Sequence, residues 1–221
     1  MVKPVGDGLW EVVTPLRVIV VESGRRMTVA KVGDSGLWIH SPAELTPQLR
    51  SELEALGPVR FVVPASKLHG NLFAEDYAAA FPDAELFKAP GRRDRRGIDY
   101  AGELGDAPDP RWAAELDQLV LRGNKFAGEV LFFHRASRSL IVGDLVWNVT
   151  ADAAASTRLW VGGGEGLRPA RAFRRAIRDR EAFRESLDRA LEWDFDRIQI
   201  GHGDNVEGDA KRLVREAYAF L

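Results

Sequence analysis

Leu140-Ile141-Val142-Gly143-Asp144-Leu145-Val146 is an apolar run that a glycine and one acid interrupt. The apolar residues predict a short buried strand, and the Gly-Asp pair marks the point where that strand ends and a loop begins. Two other strand-like runs end in a similar way, at His69 and at His202. Loops at strand ends carry chemistry because the strands hold the backbone still. The three side chains are therefore predicted to meet at one edge of a core.

A purely structural explanation of these residues competes with the functional one. An Asp after a hydrophobic strand is often a turn or capping residue, and a lone His is often only a hydrogen-bonded polar group. Each of the three residues taken alone fits that explanation. Their shared position at strand ends favours a common site.

The composition sets limits on the class of protein. The chain has 221 residues, is 45% hydrophobic and 29% charged, and carries a formal charge of −2, which is typical of a soluble globular protein. We expect one domain over residues 1–221. Cysteine is absent, which excludes disulfides, thiolate nucleophiles and cysteine-ligated metals. Any metal must therefore use His and carboxylate ligands.

The partners and location follow from the charge and from the apolar segments. The small net charge argues against nucleic acid or a membrane surface as a partner. The N-terminus lacks the apolar region of a signal peptide, and no apolar run is long enough to span a membrane. A cytoplasmic protein is the expectation.

Local patterns predict an alternation of strands and helices. Runs rich in β-branched, leucine and aromatic residues predict strands at residues 9–13, 17–22, 27–32, 37–40, 59–64, 84–88, 116–121, 129–134, 139–142 and 197–200. Apolar residues at helical spacing predict helices at residues 47–56, 72–81, 168–177, 181–193 and 209–221. Thr46 is the predicted N-cap of the first helix, and Gly33-Asp34-Ser35-Gly36 is a predicted hairpin turn. This order favours an α/β sheet flanked by helices.

Three charged or glycine-rich segments have weaker signals. The four arginines between residues 92 and 96 either bind an anion or belong to a solvated loop, and the loop is favoured because acids are interspersed. Residues 161–166 are glycine-rich without a following Lys-Ser/Thr, so we expect a mobile loop or flap near the site. The arginines between residues 171 and 180 are expected to face solvent.

The order of these landmarks resembles the metallo-β-lactamase fold superfamily. Residues 64–73, 105–110, 132–138 and 144–145 resemble more closely a bacterial family of uncharacterised proteins within it, a domain of unknown function. The resemblance covers nearly the whole chain. It implies a mixed α/β (α+β) four-layer αββα sandwich with a metal site at one edge of two facing sheets.

The metal motif of that superfamily is incomplete in this chain. In the motif His-x-His-x-Asp-His the last histidine matches His69, whereas Pro64, Ser66 and Leu68 fall on the other three ligands. A further histidine of the superfamily falls near Lys125. The bridging aspartate matches Asp144, and the final histidine matches His202. The resemblance thus implies a lost first metal site and a second site that keeps His69, Asp144 and His202.

Two hypotheses follow from this reduced ligand set. Two imidazoles and a carboxylate suffice for one zinc or iron, so the first is a mononuclear metal-dependent hydrolase acting on an unidentified small-molecule substrate. Asp144 and Lys125 are then the candidate catalytic residues, with the Lys125 charge replacing the lost metal and binding a substrate carboxylate or phosphate. The second is an inactive, metal-free member of the fold that binds a small ligand or a protein. In that case Pro64 and Leu68 simply pack, and the two histidines fix their loops.

Overall fold

The computed structural model describes residues 1–18, 21–34, 36–151 and 153–221. Within these residues the first sheet has seven strands in chain order. They are β1 (Lys3–Gly6), β2 (Leu9–Val18), β3 (Val21–Val32), β4 (Gly36–His40), β5 (Val59–Val63), β6 (Glu85–Lys88) and β7 (Tyr100–Glu103). The strands β1 to β4 pair antiparallel, and β4 to β7 pair parallel.

Among the described residues the second sheet has five strands, and a separate ribbon has two. The sheet comprises β8 (Leu116–Val120), β9 (Val130–His134), β10 (Ser139–Ile141), β13 (Arg197–Gln199) and β14 (Val206–Glu207), and the ribbon comprises β11 (Trp147–Val149) and β12 (Gly166–Arg168). The sheet order is β14-β13-β10-β9-β8, with β10 and β13 parallel. Because β10 and β13 run in the same direction, the loops that carry Asp144 and His202 leave the sheet at the same edge.

Six helices are present in the described part of the chain. They are α1 (Pro47–Leu56), α2 (Ala74–Ala80), α3 (Ala155–Val161), α4 (Arg171–Arg175), α5 (Arg180–Glu192) and α6 (Ala210–Ala217). One apolar core lies between α1, α2 and the first sheet, and another lies between the second sheet and α4 to α6. A third core, which includes Trp38, Phe61 and Phe132, joins the two sheets. The layers therefore follow the order helices, first sheet, second sheet, helices, which is the predicted αββα sandwich.

Helix α1 shows how closely local sequence determined some boundaries. The Thr46 hydroxyl accepts a hydrogen bond from the Leu49 backbone N–H at 3.1 Å, and Pro47 occupies the first turn, where its missing N–H costs nothing. At the other end Gly57 adopts a φ of 151°. The predicted cap, start and end of this helix are confirmed.

The β2–β3 hairpin corrects one prediction and confirms another. Residues 17–22 do not form one strand, because β2 continues through Pro15 to Val18 and β3 begins at Val21, with residues 19–20 outside the described part. Pro15 is tolerated within β2 because β1 pairs only as far as Glu11, which leaves that side of β2 without a described partner strand. The antiparallel β3–β4 pairing confirms the predicted hairpin at residues 33–36, of which Ser35 lies outside the described residues.

Several short elements were not predicted. These are the strands β1, β7, β11, β12 and β14 and the helix α3, which are two to seven residues long. Of the segment 161–166, expected to be a loop, Val161 ends α3 and Gly166 begins β12. The helix predicted at 168–177 is limited to α4 because residues 166–168 form β12. Elements this short show no period that a sequence pattern can reveal. No helix among the described residues is long and apolar enough to cross a membrane.

Candidate functional site

His69 lies in a tight loop between β5 and α2. The Ser66 hydroxyl accepts hydrogen bonds from the backbone N–H groups of Leu68 and His69, at 3.1 and 2.9 Å. The Asn71 amide donates to the Ser66 and His69 carbonyls at 2.8 and 3.2 Å. The loop is thus fixed by its own side chains, as short Ser and Asn turns are. The resemblance aligned Ser66 with a metal-ligand position of the superfamily. In this chain the Ser66 hydroxyl instead fixes the conformation of the loop.

His69 is buried, with 8% of its surface exposed. Its Nδ1 lies 3.2 Å from the Ser41 hydroxyl, and its Nε2 is buried without a hydrogen-bond partner among the described residues. The backbones of Gly143 and Gly201 pack against the same ring. A Cβ added to Gly143 would lie 3.2 Å from Nδ1 of His69, and a Cβ added to Gly201 would lie 3.0 Å from Cε1. Two glycines therefore let the loops after β10 and β13 close around His69.

His202 is oriented by the backbone of β3 and by an indole ring. Its Nδ1 lies 2.9 Å from the Gly24 carbonyl, which only accepts hydrogen bonds, so Nδ1 carries a proton. The ring of Trp147 stacks on the imidazole with centroids 4.1 Å apart. The Nε2 atom then lies 3.4 Å from Asp144 Oδ1, which is also only an acceptor when ionised. A proton or another cation between these two atoms stabilises the pair.

Asp144 occupies a turn that two buried side chains hold from below. Glu129 is completely buried, and its Oε1 accepts from the backbone N–H groups of Gly143 and Leu145 at 2.8 and 3.1 Å. The Tyr218 hydroxyl donates to the Leu145 carbonyl at 2.6 Å. The Asp144 side chain itself remains 22% exposed. The turn is thus rigid, while its carboxylate stays accessible.

The structure brings His69, Asp144 and His202 together. The two imidazole centroids lie 5.0 Å apart, and Asp144 lies against His202. Two imidazoles and a carboxylate have the right chemistry for one zinc or iron. Within the described ranges, however, no three such side chains are placed so that they could hold a metal ion. Metal binding would therefore require these side chains to move, and their role as ligands stays a prediction.

Burial and neighbouring charges shift the pKa values of these groups apart. Burial lowers the pKa of His69 to about 4. The charge of Asp144 raises this pKa, whereas the charges of His202 and Arg25 lower it. Burial opposes ionisation of Asp144, but the His202 hydrogen bond and the two histidine charges leave its pKa below the ordinary value. Burial, followed by the Asp144 charge, raises the pKa of Glu129 to about 8. At neutral pH the site therefore combines an ionised Asp144 with a protonated Glu129 and a neutral His69.

The other residues on lost ligand positions do not join this group. Lys125 is exposed, with Nζ 6.0 Å from the Phe126 ring centroid, and its backbone N–H bonds to the Ala176 carbonyl. Leu68 is 72% exposed, so the prediction that it packs is wrong, whereas Pro64 is buried. Leu68 lies on the solvent side because the Ser66 turn directs its neighbour, His69, inward. The catalytic role of Lys125 stays a prediction.

A pocket of about 260 Å³ opens beside Asp144. We call it the Asp144 pocket. Its lining comprises Leu68, Asn124, Phe126, Ala127, Asp144, Trp147, Trp160, Ala170, Ala172, Phe173 and Ala176. Four of these residues are aromatic and four are alanines, so the walls are apolar. Asp144 is the only charged side chain among these described lining residues.

Sequence reasoning missed buried ionisable residues near the site, among them Glu129 and Arg25. Glu129 precedes an apolar strand, where an acid usually faces solvent, and nothing nearby in the sequence indicates that it supports the Asp144 turn. Arg25 is 4% exposed, and its guanidinium lies 5.0 Å from the centre of the Phe73 ring. Its Nε has no hydrogen-bond partner in the described part of the chain. The sequence offered one signal for Arg25. Side chains alternate between the two faces of a strand, so Arg25 shares the inward face of β3 with Met27 and Val29.

His134 was left out of the predicted site, and the structure places it elsewhere. It lies at the β9–β10 turn, 1% exposed, with Nδ1 2.7 Å from the Ser137 hydroxyl. Burial lowers its pKa to about 4. His134 therefore supports a turn at the end of the hairpin that does not carry Asp144.

Comparisons with known proteins agree with this architecture. Residues 7–93 match a family described as "Domain of unknown function (DUF4336)". A metallo-beta-lactamase from Pontibacter korlensis is similar over 99% of this chain and 97% of its own, with a TM-score of 0.68 and 13% identity. The metallo-beta-lactamase FIM-1 from Pseudomonas aeruginosa, in its mono-zinc form, is similar over 100% and 95%, with a TM-score of 0.66 and 11% identity. The chain has the metallo-β-lactamase fold.

Another structure extends the range of proteins with this architecture. The Flv1 flavodiiron core from Synechocystis is similar over 100% of this chain and 60% of its own, with a TM-score of 0.65 and 8% identity. No match is found among curated proteins. At these identities the similarity establishes the metallo-β-lactamase fold alone, because one fold serves many chemistries.

Proposed function

We propose that the protein binds a small organic molecule in the Asp144 pocket. The observation that supports this is a cavity of about 260 Å³ with apolar walls and one carboxylate. Sites for small molecules are usually concave and mostly apolar, with a few polar groups that orient the ligand. The rigid turn under Asp144 provides such a group in a fixed position. This corresponds to the small-ligand alternative rather than to the hydrolase.

Exposed apolar side chains at the pocket support the same proposal. Leu68, Phe126 and Trp160 line the pocket and are 72%, 56% and 47% exposed. Apolar side chains that are exposed together often mark a binding surface, because leaving them in water is unfavourable. An apolar ligand body would cover them.

Blocking the pocket tests this proposal. Ala172 lines the pocket and is exposed on α4, so Ala172→Trp should fill the cavity without disturbing the core. We expect 2-phenylethanol at millimolar concentration to shift indole N–H signals in NMR spectra of the wild-type protein, and Ala172→Trp to abolish the shifts. Ala79→Trp, on an exposed face of α2 outside the pocket, is the matched control and should leave them unchanged. Equal shifts in both variants would place the binding elsewhere.

A mononuclear metal-dependent hydrolase is the second candidate. It is favoured by the buried, unpartnered Nε2 of His69 and by the 3.4 Å approach of His202 Nε2 to Asp144. FIM-1, a similar structure, is described with one zinc. Zinc or iron would suit this nitrogen and oxygen donor set. Against it, no three metal-ligating side chains among the described residues are placed so that they could hold a metal ion.

Thermal melts with and without zinc distinguish the two candidates. If a metal binds, saturating zinc should raise the melting temperature of the wild type by several degrees, because a ligand at 100 times its Kd stabilises the folded state by about 2.7 kcal/mol. Asp144→Asn removes the one carboxylate among the three predicted ligands and should lose most of that shift. Equal zinc shifts in both proteins would remove the hydrolase from consideration.

A further inference from the structure

The polar groups that line the Asp144 pocket are few, and most are already used. Of the described lining residues, only Asn124 and Asp144 carry side-chain oxygens. Asn124 Oδ1 accepts from the backbone N–H groups of Phe126 and Ala127, both at 3.1 Å, and its Nδ2 donates to the Phe173 carbonyl at 3.2 Å. The Asn124 amide therefore shapes the wall and has little capacity left for a ligand.

The Asp144 carboxylate is different because it retains an unused oxygen. Its Oδ1 lies against His202, whereas among the described residues no hydrogen bond reaches Oδ2. An ionised carboxylate only accepts hydrogen bonds, so a ligand must approach it with a donor. Hydrogen bonds from a cationic donor are roughly twice as strong as those between neutral groups. The described lining residues include no lysine or arginine, so no side-chain cation there could pair with an anionic ligand.

Aromatic rings in the lining add to this preference. Trp147, Trp160, Phe126 and Phe173 all line the pocket. The quadrupole of an aromatic ring attracts a cation, and indole is the strongest of the natural rings in this respect. One face of the Trp147 indole is covered by His202, so this ring is held rigidly beside the carboxylate. A carboxylate together with aromatic rings is a common arrangement in sites for ammonium ligands.

We infer that the ligand of the Asp144 pocket is an organic cation, a small ammonium compound with an apolar or aromatic body. The ammonium group donates to Asp144, and the body lies against the aromatic and alanine walls. This inference rests on the proposed function, since it names the class of ligand for the same pocket. It also differs from the expectation of an anionic substrate held by Lys125, whose side chain does not line the pocket.

Three probes of similar shape and different charge test the inference. They are the 2-phenylethylammonium ion, 2-phenylethanol and 3-phenylpropanoate, titrated calorimetrically into the full chain at pH 7 in buffer with EDTA. We expect the ammonium ion to bind at least tenfold more tightly than the alcohol, and the carboxylate to bind most weakly. Asp144→Asn should lower the affinity for the ammonium ion by about tenfold, which corresponds to about 1.4 kcal/mol, and change that for the alcohol less than twofold.

Controls separate this inference from the proposal on which it rests. Asp204→Asn removes an exposed acid outside the pocket and should change neither affinity. If all three probes bind equally and Ala172→Trp blocks them, the pocket binds small molecules but the preference for cations is refuted. If no probe binds, the proposed function fails together with the inference. The comparison of probes on the wild-type chain does not depend on the folding of any variant.

Discussion

Glu129→Ala is expected to lower the free energy of unfolding by about 3–5 kcal/mol. The substitution leaves the buried N–H groups of Gly143 and Leu145 without their acceptor, and each unsatisfied buried group costs about 1–3 kcal/mol. It also opens a cavity under the Asp144 turn. Urea denaturation at pH 6 measures the change. Because the same turn positions Asp144, the variant should also bind the ammonium probe more weakly.

Glu129→Gln is the matched control, and pH separates it from the wild type. Glutamine keeps the acceptor oxygen, so at pH 6 we expect a smaller loss than for Glu129→Ala. The folded-state pKa of Glu129 is raised from 4.5 to about 8 by burial and by Asp144. The unfolded chain therefore ionises at a lower pH than the folded one, and the stability that Glu129 contributes is complete below pH 4.5 and is lost as the pH rises to 8. Glutamine does not titrate, so this loss should be missing.

Unfolding free energies at pH 5, 6, 7 and 8 show whether Glu129 behaves in this way. The unfolding free energy of the wild type should fall relative to that of Glu129→Gln as the pH rises, because the two proteins share all other titrating groups. Parallel pH profiles would show that Glu129 is ionised in the folded state. Equal losses for the Ala and Gln variants would show that the two backbone hydrogen bonds contribute little.

The outline of the fold could be predicted because its signals are local. Thr46, Pro47 and Gly57 define α1 through capping chemistry that depends on neighbouring residues only. The strands before His69, Asp144 and His202 are apolar runs bounded by turn residues, so their ends could be predicted, and parallel pairing of β10 with β13 then brings two of the three loops to one edge. The sandwich follows from this alternation of strands and helices.

The pocket could not be predicted because it depends on distant contacts. Trp147 and Trp160 come from a three-residue strand and a seven-residue helix, which are stable only where they pack against β12 and β3. Glu129 is an isolated acid whose hydrogen bonds reach a turn 14 and 16 residues away. The resemblance aligned Lys125 with a histidine of the superfamily. Such an alignment gives the position of a residue along the chain but not the direction in which its side chain points. The sequence thus indicated which side chains converge and left the shape of the cavity open.

Gly201→Ala is expected to destabilise the fold by about 2–3 kcal/mol, the usual cost of overpacking a tightly packed site. The added Cβ would lie 2.6 Å from the Gly143 carbonyl oxygen and 3.0 Å from Cε1 of His69. Neither neighbour yields easily, because Gly143 is held by Glu129 and His69 by the Ser66 turn. The φ of Gly201 is not among the positive values, so the cost arises from these contacts and not from backbone strain. Chemical denaturation measures the loss.

Gly105→Ala provides the matched control for Gly201→Ala. Gly105 is exposed, has no positive φ, and an added Cβ would meet nothing within 4 Å, so its stability should change by less than about 0.5 kcal/mol. The imidazole signals of His69 should shift in Gly201→Ala and stay unchanged in Gly105→Ala, because only the first substitution touches that ring. If Gly201→Ala were as stable as Gly105→Ala and left the His69 signals in place, the close packing of the β10 and β13 loops around His69 would be refuted. The three side chains at the strand ends would then lack the rigid arrangement on which the Asp144 pocket depends.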